Sequence, residues 1–324
     1  MLNYRKWAET PVSIVKSVRA SRAEYRRLGK SGLVVSNPIM GGMHIGSSKW
    51  YEWWDTANIY SNGESERIMG KTLKVHNIPR SKIIIMTKCF RPVTDPEIDD
   101  VGSCTAFSLD LARQSKDYVN HCGLSRTAIF QQVEASLKRL DTGYIDVLQI
   151  HRFDPNTPPE ETMKALHDLV QANVVRYLGA SSMWAHELAI LQHTAEKHGW
   201  TKLVSMQNHY NLLYREEERE MIKYCNYAGI GLIPWSPLAS GRLARPPGQQ
   251  PNTFRAVNGQ IYRDHNPEVS KEIVSRVHHL ATSRGLPMSH VALAWLDARG
   301  LALSVDEEKY LEESYRPQPI QGHS

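Results

Sequence analysis

Residues 145–182 read IDVLQIHRFDPNTPPEETMKALHDLVQANVVRYLGASS, and this stretch decides the fold. An apolar, β-branched run from Ile145 to His151 ends in polar residues. An amphipathic segment from Pro159 to Ala172 follows, and a second apolar run spans Val174 to Ser182. Strand, helix of ten or more residues, strand is one βα unit with its parallel partner. Outward from it the pattern repeats. Strand-like runs occur at Val34 to Gly42, Trp54 to Ala57, Ile83 to Lys88, Leu203 to Asn208 and Gly229 to Pro237. Amphipathic stretches lie at Ser125 to Leu140, Ala185 to His198 and Arg215 to Tyr227. Ser125 and Thr157 stand where helix N-caps belong. Seven strand candidates in βα alternation, with no G-x-G-x-x-G turn after the first, predict an α/β fold of the (β/α)8 TIM type over an open doubly wound sheet. The polar residues closing the runs then meet at one mouth, at the carboxyl ends of the strands.

At 324 residues and 41% hydrophobic content the chain can bury a substantial core. We assign it to a barrel domain over residues 25–324, preceded by an N-terminal extension over residues 1–24. The extension is basic enough that an organelle presequence is the alternative to a solvated arm. The net charge is +5, from 39 basic and 34 acidic residues in no long run. That balance argues against nucleic-acid or membrane-surface partners and for a small polar or anionic ligand. No stretch approaches the ~18 apolar residues of a membrane span. Cys89, Cys104, Cys122 and Cys225 form no C-x-x-C pair, so neither zinc nor a disulfide framework is indicated, and a reducing cytoplasm is expected. No H-x-H pair or carboxylate cluster ends the strands, which leaves a metal-dependent hydrolase without support. The oligomeric state is not written in these features.

Asp55, Tyr60, Lys88 and His151 fall at or just after four of the strand ends. Together they make an acid catalyst for carbonyl reduction. A tyrosine with a pKa of about 10 needs a neighbouring cation to favour its phenolate. Lys88 fits that role, Asp55 would hold the ammonium, and His151 would help Tyr60 grip an oxygen on which charge develops. Singly, each has a plainer reading: Asp55 as a turn or cap residue, Lys88 as a solvated strand end, His151 as a core histidine, Trp235 as barrel filling. Co-occurrence in successive βα units lifts the set above those readings.

The runs Trp54-Asp55-Thr56-Ala57-Asn58-Ile59-Tyr60, Ile83-Ile84-Ile85-Met86-Thr87-Lys88 and Leu148-Gln149-Ile150-His151 resemble the Asp, Tyr, Lys and His tetrad of the aldo-keto reductases. Gly179-Ala180-Ser181-Ser182, Gln207-Asn208-His209-Tyr210-Asn211 and Pro234-Trp235-Ser236-Pro237-Leu238-Ala239 continue the resemblance, which covers about residues 25 to 246. Asp117 to Asn120, His151 to Pro155 and Asn208 to Arg215 are most similar to the fungal aryl-alcohol dehydrogenase and versiconal hemiacetal acetate reductase type, the latter from aflatoxin-type polyketide pathways. The resemblance implies hydride transfer from NADPH to an aldehyde or ketone, aromatic or polyketide-derived, with Tyr60 as proton donor. It implies that Ser181, Ser182 and Gln207 hold the nicotinamide carboxamide, that Trp235 stacks on its ring, and that Ser236, Pro237, Leu238 and Gly241 run along the pyrophosphate. Gly42 and Met43 match backbone contacts near the ribose, and Asp55 matches the cofactor side of the tetrad. Tyr210, Trp53, Trp54 and Phe90 either line a substrate pocket or pack against the scaffold. The competing expectation is a non-catalytic, cofactor-binding or regulatory barrel of the same superfamily.

Two places depart from the pattern. Only Ser47 to Trp54 separate the first strand from Asp55, whereas a parallel crossover with its helix needs about a dozen residues. Near Arg299-Gly300 the family places an eighth strand and a loop for the adenosine 2'-phosphate. Here Leu301 to Val305, read as a remnant strand, runs straight into Asp306-Glu307-Glu308, and no basic cluster at a helix N-terminus follows. A lost strand or covering helix exposes apolar faces and unpaired edges, and at ~25 cal/mol per Å² this exceeds a stability margin of about 5 to 15 kcal/mol. Compromised folding or activity is the expectation from those two departures.

Overall fold

The computed structural model describes residues 24–37, 39, 41–42, 55–95, 109–249, 264–296 and 301–323, together with Val12 and Lys16. In chain order its first elements are β1 (Glu24–Arg27), β2 (Val34–Asn37), α1 (Glu64–Val75), β3 (Met86–Cys89), α2 (Leu109–Gln114) and α3 (Arg126–Leu140). Then come β4 (Ile145–Ile150), α4 (Pro159–Gln171), β5 (Val175–Ser181), α5 (Ala185–His198) and β6 (Leu203–Gln207). α6 (Met221–Ala228), β7 (Gly231–Leu232), α7 (Pro267–Arg284), α8 (Met288–Trp295) and α9 (Val305–Glu312) complete the set.

β3, β4, β5, β6 and β7 form a parallel sheet in sequence order. Single parallel bridges extend it to Asp55 and then Gly41 on one side, and a bridge from His209 to Trp235 carries the last pair toward the rim. Seven consecutive strand positions of a βα barrel are thus occupied, the first two by one bridge each. Residues 43–54, where the first departure falls, lie outside the described residues. So does most of the N-terminal extension, whose last residue Glu24 opens β1.

Alternation along the strands separates two cores. Ile85, Leu148, Ile150, Leu178, Ala180 and Met206 face outward, buried under α1, α3, α4 and α5 with Met69, Ile129, Leu166 and Leu191. Met86, Val147 and Ile233 face the barrel axis and pack against Leu28, Leu33 and Val35. The last three belong to a plug. The run Val34 to Gly42, expected as the first barrel strand, instead supplies β2, which pairs antiparallel with β1 as a hairpin; only Gly41 reaches the sheet. The hairpin tip fits because Gly29 takes a left-handed φ of +59°, and a Cβ there would lie 2.5 Å from the Gly229 carbonyl oxygen. Closing the amino end of the barrel this way buries the apolar ends of the inward rows.

Helix boundaries follow their local signals. Ser125 caps α3, its hydroxyl accepting from the Ala128 N–H at 3.2 Å. Thr157 is not the cap of α4. Its hydroxyl donates to Asp154 at 3.0 Å, and the helix starts on Pro159, whose missing N–H costs nothing at that position. Leu301 to Val305 is not a strand: residues 301–304 have no regular structure and Val305 opens α9. Ser304 explains the change, since its hydroxyl caps the Glu307 N–H while Glu307 accepts from the Ser304 N–H at 2.7 Å, a capping box. α7, α8 and α9 form a separate core with Leu212 and Leu243. Among the described residues no helix is long and apolar enough to cross a membrane.

Candidate active site

Strand register builds the site in layers. Lys88 pairs with Gln149, Gln149 with Gly179, and Gly179 with Ser205. Two residues below this row lie Met86, Val147 and Tyr177, in the apolar plug layer. Two residues above it come His151, Ser181 and Gln207, at the strand ends. The barrel axis therefore turns from apolar to polar within one residue pair, at the level where a reacting group would sit.

Asp55, Tyr60, Lys88 and His151 come together there. Lys88 is fully buried, and its ammonium donates to Asp55 Oδ2 at 2.8 Å and to the Thr56 carbonyl at 2.9 Å. It lies 5.0 Å from the centroid of the Tyr60 ring. Tyr60 opens a short 3-10 turn (Tyr60–Gly63), and the His151 ring meets it edge-on at a centroid distance of 5.9 Å. The Gly42 N–H donates to the Asp55 carbonyl, and the Gly42 carbonyl accepts from the Ser65 hydroxyl at 2.9 Å, so both ends of that backbone are fixed.

The electrostatics set the charge state of each group. Burial raises the Tyr60 pKa above its ordinary 10; the charge and hydrogen bond of Lys88 oppose that rise without reversing it. Tyr60 therefore keeps its proton at neutral pH. Burial pulls Lys88 down, but Asp55 and Tyr60 together carry it above its usual value, so it stays charged. His151 is held well below 6.5, first by burial and then by the charges of Arg152, Lys88 and Arg91. It is a neutral ring.

Of the residues matched to a cofactor, Ser181 donates to the Gln207 carbonyl at 2.9 Å, and Trp235 donates from Nε1 to the Ser182 hydroxyl at 3.0 Å. The Gln207 side-chain amide donates to Asp55 Oδ2 at 3.2 Å. Trp235 stacks one face on His209 at 4.2 Å. Ser236, Ala239, Ser240 and Gly241 all have left-handed φ, from 47° to 89°, along the loop that includes Pro237 and Leu238. The same left-handed conformation occurs at Asn77, Asp141 and Asn173 outside this loop. Met43, Trp53 and Trp54 lie outside the described residues. Phe90 is 2% exposed and packs in the outer core, and the Tyr210 hydroxyl donates to Glu218 at 2.7 Å, so both serve the scaffold.

Sequence reasoning missed two glutamines. Gln132 accepts from the Phe90 N–H at 2.7 Å and from Asn58 at 3.0 Å, tying α3 to the end of β3. Gln149 donates to Asp55 Oδ1 at 3.1 Å. Its signal was available: a lone amide in an apolar strand, two residues before His151 and so on the same face. Gly179 leaves room for its stem, since a Cβ at 179 would lie 3.0 Å from Gln149 Cγ and closer still to the Ser205 hydroxyl. Gly179→Ala is expected to cost about 1 to 3 kcal/mol by overpacking, read as a lower urea midpoint.

A pH dependence follows from the neutral rings. His209 lies between Tyr214 and Trp235, and burial pushes its pKa down to about 3 from 6.5. In the unfolded chain both His209 and His151 take a proton near 6.5, whereas the folded chain resists it. Stability is therefore complete above pH 6.5 and falls as pH drops below it, down to about 3 for His209. The slope is at most about 1.4 kcal/mol per pH unit for each ring. Urea midpoints measured through this window should fall, and His209→Asn should remove one proton's share of the slope.

The profile of the Aldo/keto reductase family matches residues 48–316. Aldo-keto reductase AMT2 of Alternaria alternata is 66% identical, with all of both chains covered. Versiconal hemiacetal acetate reductase of Aspergillus parasiticus is 43% identical over 92% of this chain and 98% of its own. A putative aryl-alcohol dehydrogenase of Schizosaccharomyces pombe, C977.14c, is 44% identical over 92% and 97%. The alignment with AMT2 runs over 367 positions against 324 residues here, so at least 43 positions of that relative face gaps in this chain. With a matching profile over most of its length and reductases among its full-length relatives, the chain belongs to the aldo/keto reductase family.

Proposed function

We propose that the chain reduces an aldehyde or ketone to the alcohol with NADPH, Tyr60 donating the proton, and that the carbonyl belongs to an aryl or polyketide-derived compound. The observation that carries this reading is the buried Lys88–Asp55 pair at 2.8 Å beneath Tyr60, with the His151 ring beside it. A bound nicotinamide supplies the hydride. Tyr60 and neutral His151 hydrogen-bond the carbonyl oxygen, and Tyr60 releases its proton as charge grows there, with Lys88 stabilising the phenolate left behind. Asp55 keeps Lys88 charged and aimed.

The nicotinamide end fits these residues. Asn208 Oδ1 and His151 Nδ1 are buried at this rim and have no hydrogen-bond partner among the described residues. Ser181, Ser182 and Gln207 supply amide-binding groups, and Trp235 is held beside them by its bond to Ser182. The choice of NADPH over NADH rests on the family, because the first turn of α9 carries Asp306, Glu307 and Glu308, which disfavour a phosphate. The aryl or polyketide substrate and a place in secondary metabolism rest on the resemblance to the aryl-alcohol dehydrogenase and versiconal hemiacetal acetate reductase type, and a cytoplasmic site of action rests on the scattered cysteines.

A second reading, a cofactor-binding scaffold without turnover, draws on the gapped alignment with AMT2. One experiment separates the two. Protein fluorescence is titrated with NADPH, and NADPH oxidation is then followed with an aromatic aldehyde. Binding with turnover supports the reductase, binding without turnover across aromatic and polyketide carbonyls supports the scaffold, and no binding defeats both.

A further inference from the structure

Asp55 has two oxygens, and they are held differently. Oδ2 accepts from the Lys88 ammonium and from Gln207, whereas Oδ1 accepts from Gln149 at 3.1 Å. Gln149 is fully buried in a strand whose other outward and inward neighbours, Val147, Leu148 and Ile150, are apolar. An amide there is costly unless it is hydrogen-bonded. Only half of this one is: Gln149 Oε1 is buried without a hydrogen-bond partner among the described residues. Packing alone would favour an aliphatic side chain, so the compensation must come from the bond to Asp55.

Gln207 is the other amide on Asp55, but it stands at the rim and is the group proposed above to meet the carboxamide. Gln149 sits one layer deeper, on β4, fully buried beside Lys88. We propose that Gln149 is a positioning residue: it locks the Asp55 carboxylate so that Lys88 stays directed at Tyr60. An ammonium has three donors. Asp55 and Thr56 take two, and the third is left for Tyr60 only while the carboxylate keeps its orientation. This inference rests on the proposed reductase reading.

The test uses the full chain with Gln149→Met, which keeps the volume and removes the donor, and Gln149→Glu, which can donate only while its new carboxyl holds a proton. The titratable groups around that carboxyl are Asp55, Lys88, Tyr60 and His151; β5 and β6 present only neutral Gly179, Ser205, Ser181 and Gln207. Gln149→Met should lower kcat about tenfold or more, with carbonyl KM and NADPH Kd within about twofold of wild type. Across about pH 5 to 9, Gln149→Glu should approach wild-type kcat on the acid side and lose it on the alkaline side, a limb that neither wild type nor Gln149→Met shows. A purely structural role predicts that Gln149→Met keeps its kcat, or that Gln149→Glu tracks Gln149→Met at every pH; either result overturns the proposal. If the wild-type chain turns over no carbonyl, or Tyr60→Phe matches it, the reductase reading fails and Gln149 is judged by urea midpoints instead. Gln149→Glu must then exceed Gln149→Met at acid pH and fall below it at alkaline pH, and equal midpoints overturn the role.

Discussion

Tyr60→Phe is expected to lower kcat for carbonyl reduction about 100- to 10,000-fold while leaving the NADPH Kd within about twofold. The phenylalanine keeps the ring that meets His151 edge-on and lies 5.0 Å from the Lys88 ammonium, so the pocket retains its shape. What is lost is one hydroxyl. His151 remains as a hydrogen-bond donor, but it is a neutral ring held well below 6.5, and a neutral imidazole gives up its remaining proton far less readily than a phenol does. Residual turnover should therefore come from positioning alone. The same electrostatics set the pH profile of the wild type: burial keeps the Tyr60 pKa above 10, so kcat should show no alkaline fall below that value. Steady-state kinetics with an aromatic aldehyde, paired with a fluorescence titration, measure both halves. Turnover unchanged in Tyr60→Phe would remove it from the chemistry.

Much of this was legible in the sequence, for a reason that has limits. Strand β4, and β5 from Leu178 onward, are buried on both faces and β6 nearly so, so their apolar runs stand out and end abruptly at His151, Ser182 and Asn208. Helices α3, α4 and α5 agree with their expected spans because their buried stripes follow the helical period, and α3 also because Ser125 caps it. The first strand was misread because Val34 to Gly42 is apolar whether it lies in the barrel or plugs it, and composition does not distinguish the two. Leu301 to Val305 was misread because a capping box at Ser304 outweighed its apolar character. At the site, residue types singled out Asp55, Tyr60, Lys88 and His151, which the fold brings together, but the direction of the Tyr60 shift could not be read. It depends on how much burial outweighs one nearby ammonium, and sequence gives neither depth nor distance. Gln149 was hidden by its neighbours, although its parity with His151 placed it on the axis.

Lys88→Met should act on stability and chemistry together, and the two effects can be separated. Asp55 is 7% exposed, and its only cationic partner in an ion pair among the described residues is Lys88. Removing the ammonium leaves a buried carboxylate held by two neutral amides, and breaking a buried pair from one side costs about 3 to 5 kcal/mol. A lower urea midpoint is expected, with kcat reduced at least as far as in Tyr60→Phe, because the phenolate that forms would have no cation beside it. The double variant Lys88→Met with Asp55→Asn removes both charges. Neutral replacement of a buried pair is often close to energetically even, so most of the lost stability should return. Turnover should not, since neither change restores a positive charge under Tyr60. If the double variant recovers both, Lys88 serves the fold alone; if it recovers neither, the cost lies in packing around position 88 and not in the stranded carboxylate. Recovery of stability without activity would assign to one ion pair two separable jobs, a neutralised barrel interior and a charged floor for proton transfer.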